Sequence, residues 1–289
     1  METQRDFVGK AILTDIQRSL AEPDGSVLCS ARRDGLTIQP AGTGTVAVEG
    51  HGLYMRVDTS VFYPEDAPCW PLSPPAGAFT GLVILSGRPI QEENMVAVVA
   101  ALTESHRAGR AWALIVKSNR PAEEFNAAIS AACEQGQVSR RWWREVKKRS
   151  CFLWVEDVLN TDQMRALYNS ADFLLKPVHR LSSGAAIAEA TACGVPCIVG
   201  AQRLHDANPL LFRLPAAFNL SAEPSAVDIG EAVHRLECNA RLRREASRLG
   251  PRYAGDVLGW GAAADALRSL IRLALWRQAR RGSQDFFVT

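Results

Sequence analysis

The sequence predicts an α/β fold, a sheet of short parallel strands with helices on both faces. Three observations predict it. Between residues 82 and 199, short apolar runs alternate with helical stretches, the pattern of repeated strand–helix–strand units. The runs are nearly continuous in apolar residues, as expected of strands covered on both sides. Helices rather than hairpin turns join one run to the next.

Taken in order, the first 63 residues carry the weakest pattern. Ala11–Thr14, Val27–Cys29, Leu36–Ile38 and Val46–Val48 are candidate strands interrupted by Gly and Pro. AGTGT at 41–45 reads as a turn, since no GKS or GKT follows to make a P-loop. Residues 64–78, PEDAPCWPLSPPAGA, hold five prolines, which remove backbone donors and mark a linker or domain edge. Leu82–Ser86 is the first strong strand, followed by a helix from about Glu92 to His106 that stops at Gly109. Trp112–Val116, a helix over 122–135, and Phe152–Val155 come next. A helix over 161–170 opens with Asn160 and Gln163 at capping-box spacing. Phe173–Leu175, the helix within SSGAAIAEATACG, and Val195–Val199 complete the alternation, and from about 225 the chain is helical and rich in Ala, Arg and Leu.

Bulk composition narrows the function classes. The chain has 289 residues, 47% hydrophobic and 22% charged, ordinary for a soluble protein of one large or two small domains. A net charge of +2 gives the whole molecule no strong pull toward nucleic acid or membrane. Seven scattered cysteines without a CxxC pair predict reduced thiols and a cytoplasmic location. They assemble no zinc ligand set with the five histidines. The N-terminus lacks the apolar core of a signal peptide, and no run approaches ~18 consecutive apolar residues.

In an open parallel sheet, ligands bind beyond the carboxyl ends of the strands. Gly87-Arg88, Lys117-Ser118, Glu156-Asp157 and Pro177–Gly184 lie there. The helix that opens at Ser182–Ala185, with Ser183 and Gly184 small enough for close approach, presents free N–H groups to a phosphate. Arg88 adds a bidentate donor from the neighbouring loop. Glu189, one turn past Ala185, suits the paired hydroxyls of a sugar. Each feature has a plain alternative: close packing for the small residues, loop solvation for Arg88, and a surface arginine partner for Glu189. Taken together they predict a nucleotide-sugar site, with Lys117 as a further candidate cation. RRWWREVKKR at 140–149 is either a solvated helix edge with tryptophans turned inward or a contact for a membrane or nucleic acid.

These segments resemble the nucleotide-sugar-binding half of retaining GT-B glycosyltransferases, over about Val57 to Ala274. RVDTSVFYPED at 56–66 is similar to the family's segment preceding its C-terminal domain, and SGRPIQEEN at 86–94 to its Gly-Arg loop. LYNSADFLLKP at 167–177 and EATACGVPCIVG at 189–200 resemble two further family elements, the latter most specifically. LGWGAAADAL at 258–267 is similar to the terminal helix that crosses back to the other lobe. The resemblance implies a GT-B-like Rossmann parallel sheet domain with an abbreviated N-terminal lobe and C-terminal helices. It divides the chain into a lobe (1–63), a linker (64–78), the nucleotide-sugar-binding domain (79–225) and C-terminal helices packing back on the lobe (226–289). It implies that Glu189 holds the ribose and Gly87 and Arg88 the diphosphate, while Gly184 opens the loop beneath the sugar. It implies no cofactor and no metal, with the nucleotide-sugar donor as substrate and no protein nucleophile.

Three departures bear on activity. The family's second glutamate, eight residues before the first, is Leu181 here. The family's lysine after the arginine is absent, with Glu92 and Glu93 nearby; Lys117 or Arg180 is a candidate replacement. About 55 residues precede the VDT segment, which implies a lobe that is abbreviated, lost or supplied by a partner chain. His179 reads as a loop residue. The expected functions are therefore a retaining glycosyltransferase, a degenerate nucleotide-binding or partner subunit, or, ranked lower, a sugar-nucleotide epimerase.

Overall fold

The computed structural model describes residues 27–32, 35–40, 46–48, 57–65, 75–85, 90, 92–177, 184–200, 218–220, 224–259 and 261, with the backbone alone for 27–48 and 218–219. The chain divides into two compact units, one of residues 55–259 and one of residues 1–54 with 260–289. The described part of the latter is an antiparallel sheet of β1 (Val27–Arg32), β2 (Gly35–Pro40) and β3 (Val46–Val48), in that order. Three of the four candidate strands fall inside it; Ala11–Thr14 and the AGTGT turn lie outside the described residues.

The larger unit is a six-stranded sheet with every pair parallel. Its strands are β4 (Phe79–Ile84), β5 (Trp112–Lys117), β6 (Phe152–Val155), β7 (Phe173–Lys176), β8 (Cys197–Gly200) and β9 (Phe218–Leu220). Their spatial order is β6-β5-β4-β7-β8-β9. The α/β Rossmann-like fold class expected from the sequence is the one observed. The first strong strand starts earlier than its apolar run, because Phe79–Gly81 also pair with β5. Gly81 is required there, since a Cβ would lie 2.5 Å from Phe173 Cζ. Conversely, the run at Val195 becomes strand only at Cys197, after Gly194 (φ 75°) has turned the chain. The three-residue β9 is too short to show in the sequence.

Seven helices cover the sheet among the described residues: α1 (Met95–Arg107), α2 (Ala122–Glu134), α3 (Arg140–Lys148), α4 (Thr161–Asn169), α5 (Ala185–Ala192), α6 (Ala226–Cys238) and α7 (Ala240–Tyr253). Strand side chains alternate between faces and feed two cores. Val83, Leu114, Val116, Phe173 and Leu175 pack with α1, α2, α3 and α6, whereas Leu82, Ile115, Leu174 and Val199 pack with α4 and α5. The capping box of α4 is present, with Asn160 Oδ1 accepting from Gln163 N at 2.9 Å and Gln163 Oε1 from Asn160 N at 2.9 Å. Phe125 of α2 stacks on Phe152 and Trp154, with Trp143 of α3 edge-on to Phe125 and Phe152. This aromatic cluster is what anchors the very basic α3, and it turns Trp143 inward. After α7, a π-helical turn (Ala254–Leu258) leads to Gly259, which bridges to Val57, so the unit's two ends lie side by side.

Candidate functional site

The strand order locates the crevice. From β4 the chain moves outward to β5 and β6, and from β7 it moves the opposite way to β8 and β9. The switch point therefore lies between β4 and β7, where loops leaving adjacent strands diverge and leave room for a ligand. The loops that follow β4 and β7 are the ones carrying Gly87-Arg88 and Pro177–Gly184. Gly87, Arg88, Ser183, His179, Arg180 and Leu181 themselves lie outside the described residues.

Gly184 is the N-cap of α5, buried, with φ 74° and no side-chain cap among the described residues. The left-handed backbone is the reason glycine stands there. Its carbonyl accepts from Ile187 N and Ala188 N, so the amides before them point out of the helix start. One turn on, Glu189 is half-buried, and its Oε2 accepts a 2.7 Å hydrogen bond from Tyr168 Oη on α4. Tyr168 is fully buried, and burial first, then the Glu189 charge, pushes its phenol well above the ordinary range. It therefore stays a donor and fixes the carboxylate's direction.

Tyr168 also touches the VDT segment, with Phe62 edge-on at 6.0 Å. That segment is strapped to α4 by Arg165, which pairs with Glu65 at 2.6 Å and donates to Val61 O, and by Asn169, which bonds Glu65 N and Tyr63 O. Sequence reasoning passed over Tyr168 as a site residue, although it lies in the LYNSADFLLKP motif. The signal was the motif itself, which places a tyrosine next to the buried Leu167.

A second feature is missing from the sequence reading. Lys176, at the end of β7, sends its ammonium across the switch point to Ile84 O at 2.6 Å and Glu93 Oε2 at 3.0 Å. Both side chains are nearly inaccessible, 7% and 1% exposed. The pair ties together the end of β4, the residues before α1 and β7, which are the walls of the crevice. Glu93, near where the resembled family carries a lysine, is thus the acid of a buried ion pair. Asn94 beside it is left-handed (φ 56°) and donates to Pro224 O at 3.0 Å, which fixes where α1 begins.

Lys117 sits one strand from the switch point, at the end of β5. Its Nζ donates to Ser118 O at 2.8 Å and Asn119 Oδ1 at 2.6 Å. Burial lowers its pKa, and Asp157 partly restores it. Glu156, another loop candidate, caps α2 by accepting from Ala122 N at 2.7 Å. The tail of EATACGVPCIVG is a packing device. A Cβ on Gly194 would meet Ser247 O at 2.9 Å, one on Gly250 would meet Thr191 O at 2.8 Å, and Cys193 and Cys197 are buried. A cavity of about 480 Å³ lined by Asp172, Pro196, Arg243, Arg244 and Arg248 lies at the amino ends of β7 and β8, away from the crevice. There Arg243 caps the end of α6, donating to Leu236 O and Glu237 O.

A parallel sheet with this switch point is a Rossmann-like domain, and solved structures it is similar to include several glycosyltransferases of GT-B fold. One is a sucrose-phosphate synthase from Thermosynechococcus elongatus (17% identity, TM-score 0.59, covering 77% of this chain and 52% of that one). Another is the C-terminal domain of a glycosyl transferase group 1 family protein from Francisella tularensis (16%, 0.53, 71% and 99%). A third is a glycosyltransferase from Rickettsia africae (12%, 0.54, 76% and 56%). The chain spans about half the length of the first and third. No protein-family model and no curated protein matches the sequence. Likeness at these identities establishes the fold. No helix among the described residues is long and apolar enough to cross a membrane.

Proposed function

We propose that this protein is a glycosyltransferase that binds a nucleotide-sugar donor at the β4–β7 switch point and transfers the sugar with retention, without a metal or other cofactor. The observation that carries this reading is Glu189, held by Tyr168 one turn beyond the open start of α5 at Gly184. That arrangement pairs a donor-rich helix start for phosphate with an oriented acceptor for ribose hydroxyls. On this reading Gly87, Arg88 and Ser183 serve the diphosphate side, with Lys117, one strand from the switch point, as a further cation. The departing diphosphate is stabilised by charge and helix dipole, a preorganised electrostatic effect.

A second reading is a nucleotide-binding subunit that works with a partner chain. Leu181 in place of the family's second glutamate, and Glu93 paired with Lys176 near where the family carries a lysine, favour it.

A thermal-shift panel of UDP-, GDP- and ADP-sugars, followed by a donor-hydrolysis assay, tests both. A ligand at 100 times its Kd stabilises by about 2.7 kcal/mol. Stabilisation lost in Glu189→Ala and Arg88→Ala, with turnover, supports the transferase. Stabilisation without turnover supports the subunit, and stabilisation by no nucleotide sugar rejects both.

A further inference from the structure

The basic helix α3 plays no part in the crevice, and its charge needs its own explanation. Trp143 and Val146 face the core and Trp142 is half-buried, while Arg140, Arg141, Arg144, Lys147 and Lys148 are exposed. At 3.6 residues per turn these five cations fall within an arc of about 120° that begins beside the buried face, where Lys147 Nζ lies 5.3 Å over the Trp143 ring. No acid interrupts the arc. Glu145 lies on its flank, 4.0 Å from Arg149, and Glu134 approaches Arg140 at 3.8 Å. Arg141, Arg144, Lys147 and Lys148 form no ion pair among the described residues.

This charge opposes helix formation. Arg140 and Arg141 open the helix, no acid stands in its first turn, and the Ser139 cap bond is a long 3.5 Å. Cations at a helix start oppose its dipole. Arg140–Arg144 and Arg144–Lys148 are like-charged i,i+4 pairs, which also destabilise. The aromatic anchor of Trp143 holds the helix in spite of them. With a whole-chain net charge of only +2, the ridge is a local concentration rather than a general bias.

We propose that α3 is an electrostatic docking ridge for an anionic phospholipid surface. The cations stand side by side along one helix of about 13 Å, a row that meets a plane of anionic headgroups with every charge at once. Its apolar side is committed to the core, so it adheres through charge and does not insert. A nucleic-acid surface fits less well. Trp143 is turned inward, Trp142 is half-buried with Arg141 over its ring at 5.8 Å, and the arc carries no Asn, Gln, Ser or Thr for base edges.

Co-sedimentation of the full chain with phosphatidylcholine vesicles, with and without roughly one-third phosphatidylglycerol, tests the proposal. Binding is expected only to the anionic vesicles and is expected to fall with salt. Arg144→Gln/Lys147→Gln/Lys148→Gln should weaken it roughly 100-fold. A charge-matched control on exposed positions of α7, Arg241→Gln/Arg244→Gln/Arg248→Gln, should retain it; circular dichroism confirms that both variants fold. Absence of vesicle binding, equal loss in both variants, or tighter binding of duplex DNA than of anionic vesicles overturns the proposal.

Discussion

Replacing Lys176 with methionine tests the architecture of the crevice most directly. Lys176→Met keeps the volume but removes the ammonium from Glu93, which is 1% exposed, and from the carbonyl of Ile84. Breaking a buried pair by removing one partner typically costs about 3–5 kcal/mol, because the other charge stays in a low-dielectric site. For a unit of this size each kcal/mol corresponds to about 2–4 °C, so the transition should fall by about 6–20 °C. Lys176→Met/Glu93→Gln also removes the buried carboxylate's charge and should cost less than the two single changes added together, by at least about 1.5 kcal/mol. Guanidinium melts of the wild type, both single variants and the double variant measure the cycle. A cost below about 1 kcal/mol for Lys176→Met, or additive single effects, would refute the reasoning.

Two further predictions rest on the same side of the sheet. Tyr168→Phe deletes the 2.7 Å donor to Glu189 and should cost about 1.5–3 kcal/mol in chemical melts, with a smaller thermal shift on adding nucleotide sugar. An unchanged nucleotide response would show that Glu189 needs no orientation by Tyr168. Burial pushes the thiols of Cys193 and Cys197 up to about 12 from an ordinary 9.0. The unfolded chain then loses these protons first as pH rises, so this stability is complete below about pH 9 and declines from there toward pH 12. Guanidinium midpoints measured from pH 8 to 10.5 should fall, and fall less in Cys193→Ala/Cys197→Ala; a flat wild-type profile would contradict the assignment.

Much of the fold was legible because it rests on periodicity. Apolar runs long enough for one strand, separated by helical stretches with clear stops such as Gly109, left few alternatives to a covered parallel sheet. Asn160 and Gln163 announced a helix start, and both reciprocal capping bonds form there. The placement of Gly184 and Glu189 was legible for a related reason. Glu189 lies about one helical turn past Ala185, so local geometry alone put an open helix start beside a carboxylate. Lys117 looked equivalent to the other loop residues, yet it stands one strand from the switch point, and its ammonium is taken up by its own loop.

What the sequence determined by itself was therefore local: which of the longer stretches become strands or helices, and where α5 opens. The order β6-β5-β4-β7-β8-β9 was decided only in three dimensions, because strand neighbours follow from which helices can cover both faces together. The same holds for the contacts that span it. Lys176 meets Glu93 across 83 residues and Tyr168 meets Glu189 across 21. Such pairs form when the sheet brings the ends of β4 and β7 together and α4 against α5. No spacing rule along the chain encodes a distance that arises only from packing.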